Sequence, residues 1–80
     1  MELVQNRLQE LLASKARKES RKLSARIVAS ESGVSKNTVS SWNRNDVTYY
    51  HVDTILKFCQ YLDVDIADLL VIERSDSLES

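Results

Sequence analysis

Ser24–Arg44, SARIVASESGVSKNTVSSWNR, is the stretch whose reading decides the fold. It predicts two short helices joined by a tight turn. The first runs over 25–32 and the second from Ser35 to about Arg44. Ser24 and Ser35 stand where a helix needs a side-chain acceptor for its free N–H groups. Between the helices sits Gly33, the only glycine of the chain, at a point where the backbone must turn left-handed. The second helix has two unlike faces. Val39 and Trp42, three apart, share the apolar one. Lys36, Asn37, Ser40, Ser41 and Arg44 fall on the other, which holds hydrogen-bond donors and no acid. A helix with a small apolar footing and a polar, acid-free outer face fits the major groove of duplex DNA.

The rest of the chain is consistent with a small helical domain. Eighty residues without proline make one domain of helices and short connections. A chain of this length buries only about 60% of its unfolded surface, so a partner subunit would add needed stability. The lone Cys59 excludes an intrachain disulfide and a cysteine-based zinc site, and the single His51 excludes a histidine-rich metal cluster. No apolar run approaches the roughly 20 residues of a membrane span, and no signal-peptide pattern is visible. The expected location is the cytoplasm, with no cofactor, metal or small-molecule substrate. Paired carboxylates, a phosphate-cradling glycine loop and a nucleophile elbow are all missing from the sequence, which argues against an enzyme.

Net charge is −1, but its distribution is uneven. Residues 1–48 carry nine Lys/Arg against five acids, whereas residues 63–80 carry one Arg against six acids. The local field at a binding face, not the total, decides whether phosphates are attracted. Lys15–Lys22, KARKESRK, is the densest basic segment. It reads either as a solvated helix end that complements the macrodipole or as a phosphate-contacting patch beside the helix over 25–32. Arg26, in the first turn of that helix, opposes the dipole, and an anion nearby would account for it.

Outside the central stretch, Leu3, Val4, Leu8, Leu11 and Leu12 repeat at helical spacing and predict a first helix over 3–17. Of Tyr49 and Tyr50, one is expected in the core and the other near a phosphate. A fourth helix is expected over 52–62, with Val52, Ile55, Leu56, Cys59 and Leu62 inward. Asp63 ends it. Asp65 caps a fifth helix from Ile66 to about Val71. The surplus of apolar residues over Ile66–Ile72 points to packing on the first helix and to a contact with another molecule. Residues 74–80 read as a flexible acidic tail after a domain of residues 1–73.

Ala29, Gly33 and Val39 have the A-x-x-x-G-x-x-x-x-x-[VI] spacing of a helix-turn-helix. With LSARIVASESGVSKNTVSSW and VDTILKFCQYLDVDIADLL, the chain resembles the Cro/cI-like (XRE) phage-repressor family over about residues 3–72. In the second segment Thr54, Lys57, Leu62, Val64, Asp68, Leu69 and Leu70 occupy the family's recurrent positions. The resemblance implies an all-α, compact five-helix domain of the lambda-repressor type. It implies a transcriptional regulator, in the first instance a repressor, that binds double-stranded operator DNA as a homodimer on a palindrome. By position, Lys36, Asn37 and Ser41 would face bases. Ser35, Thr38, Ser40, Asn43 and Arg44 would lie nearer the phosphates or the groove wall, joined by Lys22, Ser24 and Arg26. Three positions depart from the pattern: Ala25 replaces the usual Gln after the first cap, Ser32 the usual Leu before the turn glycine, and Asn45 a frequent Gly. An alternative of another class is a protein-interaction module, antitoxin-like, that holds a protein partner through Ile66–Ile72.

Overall fold

A computed structural model of the chain describes residues 2–74. Its order is β1 (Glu2–Asn6), α1 (Leu8–Glu19), α2 (Ala25–Ser32), α3 (Lys36–Asn43), α4 (Val52–Leu62), α5 (Ile66–Leu69) and β2 (Leu70–Arg74). The second, third and fourth helices lie where periodicity and caps put them. Ser24 Oγ accepts the Ile27 N–H at 3.3 Å, and Ser35 Oγ accepts the Thr38 N–H at 3.2 Å. Gly33 adopts φ 85°, and its N–H closes α2 on Ala29 C=O at 3.0 Å. A Cβ at Gly33 would meet nothing within 4 Å, so the backbone conformation alone calls for glycine there.

The all-α expectation is corrected by a two-stranded antiparallel sheet. β1 pairs with β2 in the register Leu3↔Glu73, Val4↔Ile72, Gln5↔Val71, Asn6↔Leu70. The first helix therefore begins at Leu8, not at residue 3, and the fifth stops at Leu69, not Val71. The physical reason is the Leu70-Val71-Ile72 run. Its β-branched residues suit a pleated strand, and among the described residues the strand that pairs with it lies at the other end of the chain. Arg74 closes β2 instead of opening a tail, and residues 75–80 lie outside the described residues.

The core is built from all helices. Leu8, Leu12, Val28, Val34, Val39, Trp42, Ile55, Phe58 and Leu69 are buried, with Leu11, Leu23, Ala29, Tyr50, Cys59 and Leu62 packed around them. Trp42 is its largest member. Its ring meets Tyr50 edge-on at 5.0 Å and Phe58 at 4.7 Å between centroids. Val52 and Leu56, expected inward, are exposed. Ser32 stands where Leu is usual, so it brings no apolar side chain to the core at the turn. Its hydroxyl instead accepts the Val34 N–H across the turn at 3.2 Å, and Val34 is buried. Cys59 is half-buried, and burial raises its thiol pKa, which keeps it protonated and unreactive.

Candidate nucleic-acid interface

The outer face of α3 presents the residues that the sequence singled out. Lys36, Asn37 and Arg44 are exposed, and Thr38, Ser40 and Ser41 are half-exposed. Val39 and Trp42 anchor the opposite face in the core. The helix is fixed at both ends. At the start, Ser35 Oγ caps it and donates to Thr38 Oγ1 at 2.8 Å, so both hydroxyls already have partners within the helix. At the other end Arg44 is the C-cap residue and Asn45 turns left-handed at φ 56°, as a short amide allows. Asn43 does not share the outer face. It lies on the flank toward α1, in a groove with Gln9, Leu12, Ala13, Ala16 and Leu23. Its Oδ1 is buried without a hydrogen-bond partner among the described residues.

The segment after α3 forms a second wall. A groove of about 330 Å³ is lined by Asn37, Thr38, Ser41, Asp46, Thr48, Tyr49, His51 and Thr54 among others. Tyr50 is the core tyrosine, while Tyr49 is 77% exposed and stands in this groove beside Asn37 and Ser41. The acid-free character belongs to α3 itself. Asp46 borders the groove and lies 3.9 Å from the Arg44 guanidinium.

The basic segment divides in two. Lys15 and Arg21 are engaged inside the protein: Lys15 pairs with Glu19 at 2.8 Å and stands 4.8 Å over the Tyr61 ring. Arg21 reaches Glu19 at 2.7 Å and grips Glu31 through both terminal nitrogens, each at 2.8 Å. Tyr61 donates its hydroxyl to Glu31 Oε1 at 2.7 Å. This network ties α1, α2 and α4 together and neutralises Glu31. Arg17, Lys18, Lys22 and Arg26 are exposed, and none is ion-paired among the described residues. Ala25, where the family pattern has Gln, packs against the core, and its neighbour Arg26 is exposed.

The network sets an acid limit. Arg21, and after it the Tyr61 hydroxyl, hold the Glu31 carboxyl down from its ordinary 4.5 to about 2. Because the folded value is depressed, the stabilisation is complete above 4.5 and disappears as pH falls toward 2. Glu31→Gln is expected to lower the denaturant midpoint at neutral pH and to flatten its pH dependence across that window. Urea titrations at neutral pH and at about pH 3 check this. An equally steep acid loss in the variant would place the responsible carboxylate elsewhere.

Two connections escaped the sequence reading. Lys57 Nζ donates to Gly33 C=O at 3.4 Å while pairing with Asp53 at 3.3 Å, so α4 holds the turn between α2 and α3. Asn6 and Asn45, 39 residues apart, hydrogen-bond through side chain and backbone and join β1 to the end of α3. Helical spacing could signal Lys57–Asp53, but no local pattern announces the other two contacts. Among the described residues no group of three or more His, Cys, Asp or Glu could hold a metal ion, and no helix is long and apolar enough to cross a membrane.

Comparison with known proteins agrees with this geometry. A family model described as a Cro/C1-type HTH DNA-binding domain matches residues 7–75. The chain is also similar to a crystal structure of a proposed DNA-binding protein from Bacteroides fragilis. The two are 30% identical with a TM-score of 0.65, over 86% of this chain and 100% of that one. A search of curated proteins finds no match.

Proposed function

We propose, on the premise that this chain belongs to the Cro/C1-type helix-turn-helix family of DNA-binding domains, that it reads a specific operator with α3 and regulates transcription from it as a repressor. The observation that carries the reading is the division of α3: Val39 and Trp42 buried, Lys36, Asn37 and Ser41 on the open side. In the major groove, Lys36 would donate to guanine O6 or N7, and Asn37 would pair with adenine N6 and N7. Ser41 is short and would act through water or a close base edge. Arg26, Lys22 and Arg44 supply attraction that is blind to sequence and sensitive to salt. The first turns at Ser24 and Ser35 point N–H groups outward, where a phosphate can bind, and Thr38 and Ser40 line the groove wall. A DNA site made of two inverted halves would take two copies of the domain. Occupying a promoter in this way would exclude polymerase.

Selection from a random duplex pool, followed by mobility shift, tests the reading. Asn37→Ala is expected to weaken the selected site by roughly 1–3 kcal/mol and to relax preference at one base position. Arg26→Ala should weaken all sequences alike and lower the salt slope by about 1. Unchanged operator affinity in a folded Asn37→Ala protein would remove α3 from the groove.

The exposure of Ile66 and Ile72 supports a second reading, in which an antitoxin-like module holds a protein partner at the end of the chain opposite in sequence to the basic half. Both activities can coexist, because α3 and Ile66–Ile72 are different surfaces. A chain that selects no DNA sequence yet co-purifies with one stoichiometric partner would favour the second.

A further inference from the structure

The groove beside α3 holds a titratable group that the operator reading leaves unused. Among the described residues its lining carries one acid, Asp46, no Lys or Arg, and His51, the single histidine of the chain. Histidine is the side chain whose charge changes between about pH 5 and 8. His51 enters α4 through its backbone. Its C=O accepts the Ile55 N–H at 3.0 Å, while its side chain caps no N–H of the helix and the residue is exposed. The fold thus uses the backbone of His51 and leaves the ring at the groove.

The acids around the ring each have a base beside them. From α3, Asn37, Thr38 and Ser41 line the groove, and none is charged. The connection after α3 brings Asp46 and Tyr49, with Asp46 3.9 Å from the Arg44 guanidinium. The first turn of α4 brings Asp53, paired with Lys57 at 3.3 Å. Protonating His51 therefore tips this wall to positive, and the uncapped first turn of α4 adds partial positive charge at the same end.

Position brings a phosphate to this wall. A helix with its side chains is about 10–12 Å across, close to the major groove's own width of about 12 Å. A DNA strand bordering an inserted α3 must pass over what stands beside the helix. On this side that is the wall of Thr48, Tyr49 and His51, across the groove from Asn37 and Ser41.

We propose that a DNA phosphate sits against His51 and Tyr49 when α3 occupies the major groove, and that operator binding is coupled to uptake of one proton by His51. The proton comes from solvent, and the imidazolium donates a charge-assisted hydrogen bond to a phosphate oxygen. An anion against the ring favours its charged form. The complex then holds more protons than the free chain, so affinity rises as pH falls. The coupling deepens the operator reading and rests on it.

The test measures binding of the full chain to its selected duplex by fluorescence anisotropy at constant ionic strength. Affinity is expected to be roughly fivefold or more higher at about pH 6 than at about pH 8. The salt slope should be steeper by about 0.9 at the lower pH, as one more neutralised phosphate requires. His51→Gln keeps a donor but cannot titrate, and should bind with an affinity and a salt slope that do not change with pH. His51→Lys keeps the charge at both pH values, and should bind at the higher pH about as tightly as the wild type does at the lower. Urea titrations confirm that both variants fold. A selected site bound equally well at both pH values overturns the proposal and leaves the operator reading standing. A pH dependence that survives in His51→Gln assigns the proton to another group and also overturns it. A chain that selects no duplex sequence overturns both.

Discussion

Trp42→Ala is expected to remove about 3–5 kcal/mol of folding free energy, which takes most of the stability that a domain of this size has, about 4–12 kcal/mol. The indole is 2% exposed and contacts both Tyr50 and Phe58 in edge-on geometry. Truncation therefore loses the transfer term, leaves a cavity between α3 and α4, and strips two rings of a favourable partner. Far-UV circular dichroism should show the thermal transition falling by roughly 12 °C or more, or vanishing. Trp42→Phe, which fills part of the space, should recover much of the loss. DNA affinity should fall in Trp42→Ala in step with the folded fraction, whereas Asn37→Ala should lose affinity at full stability. Two residues five apart on one helix would then separate folding from recognition. A Trp42→Ala protein that melts within a few degrees of the wild type would mean that α3 is not held by this cluster.

That separation explains why α3 was the most legible part of the sequence. A helix that must be anchored on one side and offer hydrogen bonds on the other writes both requirements into eight residues, and its caps are local. Helices 25–32 and 52–62 were legible for similar reasons. The sheet was not. Leu3 and Val4 continue the spacing of Leu8, Leu11 and Leu12 by coincidence of period, and the fact that decides their conformation is a partner some 70 residues away. The resemblance puts Asn43 near the phosphates or the groove wall, whereas the structure sets it in the groove with Gln9, Leu12 and Leu23. At 40° from Val39 on the wheel (about 100° per residue) it belongs to the α1 flank. Within the basic segment, sequence counts five cations but cannot tell that Lys15 and Arg21 are engaged with Glu19 and Glu31 while Arg17, Lys18 and Lys22 are exposed without an ion pair among the described residues.

Asn6→Ala is expected to destabilise the domain by about 1–3 kcal/mol, a large effect for a polar residue just ahead of a helix. Asn6 is 6% exposed. Its Oδ1 accepts the Leu8 N–H at 3.0 Å and so caps α1, while its Nδ2 donates to Trp42 C=O at 2.9 Å. Alanine would leave the buried Leu8 N–H without a partner, at about 1–3 kcal/mol, and would leave the Trp42 C=O with the Asn45 N–H alone, at 3.0 Å. Asn6→Asp separates the two roles, since a carboxylate keeps the cap on Leu8 but sets an acceptor against the Trp42 carbonyl. Asn45 completes the clasp from the other side. Asn45→Gly relieves its left-handed backbone and loses its bonds to Asn6, whereas Asn45→Ala loses the bonds and adds strain of about 1–2 kcal/mol. The stability order by urea denaturation should be wild type, then Asn45→Gly, then Asn45→Ala. Asn45 binds the Asn6 backbone, which alanine retains, so the two substitutions remove different bonds of one junction, and the Asn6→Ala/Asn45→Gly double variant should lose less than the two single losses together because either loss loosens the other's bonds. Strict additivity would mean that the two amides act separately. The clasp carries the side-chain hydrogen bonds among the described residues between the sheet and the end of α3, so its loss should lower operator affinity even under conditions where the variant remains folded. A folded Asn6→Ala protein with wild-type affinity would show that α3 is positioned by its apolar face alone.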